Sequence, residues 1–394
     1  MKDLEKKIDV ISKDVLPDLL ELRRYLHAHP ELSGQEYQTA ALVAGELRKS
    51  GWEVQEAVGR TGVVAEMGNR SGPVVGLRVD MDALPIEEKT GLDYSSSIQG
   101  LMHACGHDLH ICIGLGVAKV LAKTTLTNSR IRIIFQPAEE IAQGANWMRA
   151  EKVLEGIEAL FGVHVYPDLP VGKIGIKSGI FTAAAAELEI DILGKGGHGA
   201  RPHEGIDPIW VAAKVISGLQ EAISRRLDAL KPVVISFGKI SGGNAFNVIA
   251  ERVKLLGTVR CLDINLYQQL PLWIEQIVQN IASSYGAQAK ISFKSIAPPV
   301  YNDPGLTTLL STCAKNFMDE KNIVYLDNPS LGAEDFAFFL QDVPGTMFRL
   351  GVAGDKGCAP LHSGYFSLDE RSLELGIKIL SQSIVMSTRP TQDI

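Results

Sequence analysis

Ile131-Arg-Ile-Ile-Phe-Gln-Pro-Ala-Glu-Glu140 reads as an apolar strand that runs out into two adjacent carboxylates. Working outward from it, Val74–Val79 and Ala159–Val165 are apolar runs of the same kind. Helical patterns surround them. Residues 36–50 form an amphipathic stretch closed by Gly51, and Leu4, Ile8, Ile11 and Val15 fall at helical spacing. Pro17 predicts the end of that first helix, with a second following it up to Pro30. Short strands alternating with helices predict an α/β fold: a mixed, mostly parallel sheet with helices on both faces. Functional residues in such sheets collect at the C-terminal ends of strands. The Glu139–Glu140 pair therefore stands where a site belongs.

The pattern changes near Phe181. Leu188, Ile190 and Ile192 alternate as in a half-exposed strand. A helix over 207–225, strands over 233–240 and 248–259, a helix over 265–285 and a strand over 289–295 follow. Strand–helix–strand–strand–helix–strand is the ferredoxin-like α+β order. Residues 180–295 are thus expected to form a unit inserted into a domain built from 1–179 and 296–394. Helix–strand alternation resumes from Pro304, passes through 346–352 and ends in a helix after Asp369.

At 394 residues the chain exceeds the size at which one core stops growing, which agrees with two domains. The net charge of −7 and the lack of clustered Lys and Arg argue against a nucleic-acid-binding surface. The first residues alternate charge with apolar side chains and contain no apolar core, so neither a signal peptide nor a membrane span is expected. Cys105, Cys112, Cys261, Cys313 and Cys358 are odd in number and scattered, which predicts reduced thiols in a cytoplasmic setting.

The densest chemistry lies in His103-Ala-Cys-Gly-His-Asp-Leu-His110. In an extended segment residues two apart point the same way, so Cys105 and His107 can face one ion. Thiolate and imidazole suit zinc and other first-row cations. Cys112, followed by Ile-Gly-Leu-Gly, reads as a small core residue instead. Glu139 and Glu140 can divide labour, one holding metal and the other serving as acid and base. A solvated helix start would explain them slightly better in isolation. His164 closes the third apolar run, and His362 lies in Pro360-Leu-His-Ser-Gly-Tyr-Phe366. Asp80, in Arg78-Val-Asp-Met-Asp-Ala-Leu-Pro85, is placed to orient a metal-bound histidine or simply to form a turn. In the inserted unit, Gly194-Lys-Gly-Gly-His-Gly-Ala-Arg-Pro-His203 and Gly242-Gly-Asn-Ala-Phe-Asn247 are glycine-rich but match neither phosphate-binding fingerprint. A histidine in such a loop can donate to an oxyanion, and an arginine such as Arg260 can pair with a carboxylate.

Taken in order, RRYLHAHPELSGQE, RVDMDALP, MHACGHDLH, FQPAEE, GVHV, GKGGHGARPH, GTVR, GAEDF and LHSGYF resemble the aminoacylase, hippurate hydrolase and auxin-conjugate hydrolase family of dinuclear metallo-amidohydrolases, a branch of the zinc exopeptidases. The resemblance covers nearly the whole chain. It implies a catalytic domain that holds two divalent ions per subunit (zinc or manganese, with cobalt or nickel as further options) on Cys105, His107, Glu140, His164 and His362. It implies Glu139 as general base, His198 as a group reaching the site of a partner subunit, and Asn247 and Arg260 as substrate contacts. It also implies a lid and dimerisation role for the inserted unit, hence a homodimer. Arg78 stands where the exopeptidases carry a metal-binding histidine, a change the aminoacylase-like branch shares. Ala250 and Ala333 depart from residues common in the family. The activity implied is hydrolysis of an N-acyl amino acid to a carboxylic acid and a free amino acid. Alternatives on the same site are a dipeptide, a carbamoyl amino acid or an N-acetyl-diaminopimelate, or a silent metal- or ligand-binding protein.

Overall fold

A computed structural model describes residues 2–124 and 129–388. Two compact units emerge, one of Met1–Gly179, Tyr301–Asn328 and Asp335–Ile394, the other of Ile180–Val300 with Pro329–Glu334. In chain order the elements are α1 (Lys2–Ala28), α2 (Tyr37–Lys49), β1 (Glu53–Val58), β2 (Gly62–Gly68), β3 (Val74–Asp80), α3 (His107–Ala122), β4 (Arg130–Gln136), α4 (Gly144–Ala150), β5 (Ile157–Pro170) and β6 (Ile174–Ile176). The second unit supplies β7 (Ala184–Leu193), α5 (Pro208–Arg226), β8 (Val233–Gly242), β9 (Arg252–Cys261), α6 (Ile264–Ser284) and β10 (Gln288–Ala297). Then come α7 (Pro304–Ala314), β11 (Ile323–Tyr325), α8 (Phe336–Phe339), β12 (Gly345–Ala353) and α9 (Ser372–Ser387).

The first unit is built on an eight-stranded sheet in the order β1-β2-β4-β3-β5-β12-β6-β11. Its middle four strands, β4-β3-β5-β12, are parallel, and antiparallel pairings flank them. The result is the mixed, mostly parallel sheet that the sequence predicts. Helix α3 carries no polar face: nearly all its residues are buried, as expected for a helix enclosed by other elements. Close packing depends on its glycines. A Cβ at Gly116 would lie 2.3 Å from Ile377 and 3.0 Å from Leu19, so the glycine lets α3 pack closely against α9 and α1.

Two local expectations are corrected. Pro17 does not divide the first helix, because α1 runs unbroken from Lys2 to Ala28. Its buried stripe of Ile8, Ile11, Val15, Leu19 and Leu26 continues across the proline, which itself is exposed. The carbonyl that Pro17 cannot serve belongs to exposed Lys13, where water can satisfy it. The expected strand over 248–259 is two segments. Val248–Ile249 pairs with Gly197–His198, whereas β9 begins at Arg252 and pairs with β7 and β8.

The second unit has the strand order β8-β9-β7-β10, all antiparallel, which is the ferredoxin-like arrangement. Leu188, Ile190 and Ile192 are fully buried against α5 and α6, as their alternation predicts. Asp207 caps α5 by accepting from the Ile209 and Trp210 N–H groups. The unit extends past residue 295, because β10 reaches Ala297 and the Phe181 N–H donates to the Val300 carbonyl at 2.8 Å. Segment 329–334 joins it through Ser330, whose carbonyl accepts from Ala183 at 2.9 Å.

Candidate metal centre

Parallel pairing sets Asp80 at the end of β3 beside Gln136 at the end of β4, with His164 one strand further along, in β5. The chain after β3 brings Asp82, and the chain after β4 brings Glu139 and Glu140. Helix α3 starts at His107, directly after the left-handed Gly106 and buried Cys105. His362 lies in the loop after β12, where its N–H donates to the Ala104 carbonyl at 2.9 Å. That bond ties a residue remote in sequence to the neighbour of Cys105.

These side chains form two adjoining donor sets. Donor atoms of Cys105, His107 and His164 lie within 4.8 Å of one another, and so do those of Cys105, Glu140 and His362. Cys105 belongs to both. Its Sγ is 3.5 Å from His164 Nε2, and Glu140 stands between His107 Nε2 (3.9 Å) and His362 Nε2 (3.4 Å). Glu139 has an oxygen within 4.8 Å of donor atoms of His107 and Glu140.

Hydrogen bonding orients the histidines toward this space. His107 Nδ1 donates to the Asp82 carbonyl at 2.9 Å, and His164 Nδ1 donates to the Val165 carbonyl at 2.7 Å. Each ring is thereby left with Nε2 as its metal-facing atom. His107 Nε2 and Glu140 Oε1 are buried and have no hydrogen-bond partner. Leaving one such atom unsatisfied costs about 1–3 kcal/mol, so two facing each other fit a cation between them.

The electrostatics agree. Burial by itself would lower the His107 pKa, but Asp80, Asp82 and Glu140 outweigh it and push it up to about 10. The surroundings thus favour positive charge strongly enough to hold a proton on a fully buried ring. Burial, followed by the Glu140 and Glu139 carboxylates, raises the Cys105 thiol well above its ordinary value. Its thiolate form requires a nearby cation. Burial and His110 lower His164 to about 3, which leaves the imidazole neutral, as a ligand must be.

Residues 76–385 match the sequence model of the peptidase family M20/M25/M40. The chain belongs to that family. It is 49% identical over 376 residues to a probable hydrolase of Synechocystis, covering 94% of this chain and 96% of the relative. It is 38% identical to an N-acetyl-L-cysteine deacetylase of Bacillus subtilis, covering 90% and 84%. Among solved structures it resembles a dinuclear metal-binding M20 peptidase of B. subtilis, at 36% identity and a TM-score of 0.83 over 95% of this chain and 99% of that one. This M20 protein is accordingly an enzyme that hydrolyses amide bonds.

Around the M20 donor sets lie residues whose part the sequence does not disclose. Asp80, expected to orient a metal-bound histidine or to form a turn, accepts a hydrogen bond from His110. Its Oδ1 accepts from His110 Nδ1 at 2.6 Å and stands 3.7 Å from His107 Nε2. His110 Nε2 in turn accepts from the Val165 N–H at 2.9 Å. Both nitrogens of His110 are therefore engaged, and the ring fixes the backbone next to His164. Arg78 is fully buried, donating to Gln136 (2.9 Å), Asp80 (2.8 Å) and Asp335 (2.9 Å). It holds the strand ends in place as a guanidinium rather than as a metal ligand. The periodicity that finds i, i+2 pairs could have flagged Asp82 beside Asp80, but nothing in the sequence shows a main-chain carbonyl orienting His107.

In the inserted unit, His198 and Asn247 line one groove of about 1200 Å³, in which the short 197–198 and 248–249 ladder lies. His198 is exposed, and its Nδ1 accepts from the Ala200 N–H at 3.1 Å, so Nε2 carries the proton outward. Arg260 is not part of this groove. Its guanidinium donates to the Leu331 carbonyl at 3.1 Å and to the Val259 carbonyl at 3.1 Å.

Proposed function

We propose that the protein hydrolyses N-acyl amino acids with two divalent cations, one on Cys105, His107 and His164 and the other on Cys105, Glu140 and His362. The observation that carries this reading is the sharing of Cys105 by two donor sets, with buried, unpartnered His107 Nε2 and Glu140 Oε1 facing each other. Relatedness to a deacetylase of an acylated amino acid supports the substrate class. Thiolate, imidazole and carboxylate suit zinc, and manganese is the second choice.

Bound cations supply Lewis-acid polarisation of the amide carbonyl and make water acidic near neutrality. Glu139 takes a proton from the attacking water as its oxygen bonds to the amide carbon. The tetrahedral adduct collapses, the C–N bond breaks, and Glu139 returns the proton to the departing amine. His198, presenting Nε2–H from the inserted unit of a partner subunit, donates to the developing oxyanion. Asn247 and Arg260 are the proposed contacts for the amino-acid portion. The dimer would form through the inserted unit, where β8 is an edge strand with exposed Val234 and Ile240.

The test is Glu139→Gln, assayed on acetyl-amino acids, hippurate, carbamoyl amino acids and dipeptides. The expected result is about a 10³-fold fall in kcat with bound metal unchanged. Retained turnover would remove Glu139 as the base. A preference for dipeptides or carbamoyl amino acids over every acyl substrate would replace the substrate class.

A further inference from the structure

The turn that carries Glu139 and Glu140 is held in an unfavourable shape. Ala138 has φ +53° and Ala142 has φ +51°, left-handed conformations that cost an L-residue roughly 1–2 kcal/mol each. Three successive N–H groups of this turn point at carboxylates from elsewhere in the chain. Ala138 donates to Glu36 Oε1 at 2.9 Å, Glu139 to Asp82 Oδ1 at 3.1 Å and Glu140 to Asp82 Oδ2 at 3.0 Å. One carboxylate thus spans the backbone of both glutamates. Asp82 and Glu36 are both essentially inaccessible to solvent.

The clamps are themselves fixed. Ser33 Oγ donates to Asp82 Oδ2 at 2.6 Å, and the Gly34 N–H donates to Glu36 Oε1 at 2.8 Å. Asp82 also reaches the other side of the site, where its carbonyl accepts from His107 Nδ1 at 2.9 Å and its Oδ1 stands 3.3 Å from the same nitrogen. One residue therefore joins the Glu139–Glu140 backbone to His107. Hydrogen bonds to an ionised carboxylate are about twice as strong as neutral ones, which suits a turn that must be held against its own dihedral preference.

We propose that Asp82, seconded by Glu36, is a positioning residue that sets the Glu139 and Glu140 carboxylates against His107 for catalysis. The inference rests on the functional reading above and assigns it two residues outside the donor sets. An ordinary turn brace would affect stability alone. A positioning residue affects kcat and the cation that Glu140 holds, because roughly an ångström of misplacement costs on the order of 10²-fold in rate.

Asp82→Asn tests this, since the amide keeps one acceptor for two N–H groups while the main-chain carbonyl to His107 remains. Chelated protein is dialysed against Zn2+ and assayed on an acetyl-amino acid. The expected variant shows kcat lowered about 10²-fold with KM within about threefold. It keeps one tight ion and binds the second 10–100-fold more weakly, by the usual scale for groups that orient ligands. Wild-type kinetics and stoichiometry in the variant, equal loss of both ions, or a lowered melting temperature alone would overturn the proposal and leave the functional reading standing. Wild type that binds no Zn2+ and cleaves no amide overturns both. If Asp82→Asn does not fold, Glu36→Gln takes its place. It is expected to lower kcat roughly tenfold with both ions retained, from loss of one charge-assisted bond, and unchanged kcat there overturns the proposal.

Discussion

The metal centre of the first unit and the groove of the second hold their polar groups in opposite ways. In the centre, Cys105 and His107 are buried and His164 is half-buried, His107 and His164 each commit one ring nitrogen to a backbone carbonyl, and Asp80 behind them is occupied in turn; exposed His362 is the exception. In the groove, His198 is exposed and has one hydrogen bond to its own loop, and Asn247 is also exposed. Preorganisation is concentrated where charge must be held, because buried charge is costly unless its partners are in place beforehand. His198, the proposed oxyanion donor to a partner subunit, is carried on a short ladder at the surface.

The strongest way to break that contrast is Cys105→Ala. Since both donor sets use this thiol, the variant should bind neither cation tightly and lose activity by about 10⁴-fold or more, read by metal analysis and steady-state kinetics. Two retained ions would show that the sets are independent. His198→Ala should fall next, by about 10²-fold in kcat, the size of losing one oxyanion donor. Its metal content should match wild type, and its stability should stay within about 0.5 kcal/mol because the side chain is exposed.

Chelation should sharpen the comparison without any mutation. Cations at a hundred times their Kd stabilise the structure that binds them by about 2.7 kcal/mol. Hydrogen exchange should accelerate in α3, whose first residue is His107, and stay unchanged in α6 of the inserted unit. Equal acceleration in both would deny the two units separate stability.

A last effect, on stability and not on turnover, concerns pH. Burial works against protonation of His27, but Asp108 and Glu88 outweigh it and raise its pKa from 6.5 to about 9. The folded state thus holds a proton that the unfolded chain releases above about 6.5. The resulting stabilisation is complete below that pH and is lost as pH rises through about 9. Thermal melts from pH 6 to 10 should show the decline, and His27→Gln should flatten it.

Much of this was legible beforehand, and the reasons differ by residue. Strands β3, β4 and β5 announce themselves as apolar runs; Cys105 and His107 do come together, but across a turn at left-handed Gly106 and not along the extended segment that their two-residue spacing implies. His362 has no local signal; only the family resemblance singles it out, and the structure adds its backbone bond to Ala104. The break expected at Pro17 follows from a local rule, whereas the buried stripe of α1 is a tertiary fact that overrides it. The break at 250–251 was hidden because a strand crossing between ladders keeps its apolar character; only the pairing partners change. The part played by Asp82 is not legible in the sequence, because it engages two backbone amides and offers its own carbonyl, none of which has a sequence signature.

The hydrogen bond between Phe181 and Val300 has a consequence for the history of the chain. It means that the two ends of the 180–300 segment are neighbours. Closing the chain there after deleting everything between them would require only a short turn, at little entropic cost. A segment with that property can be gained, lost or exchanged between genes as a cassette while its own core remains intact.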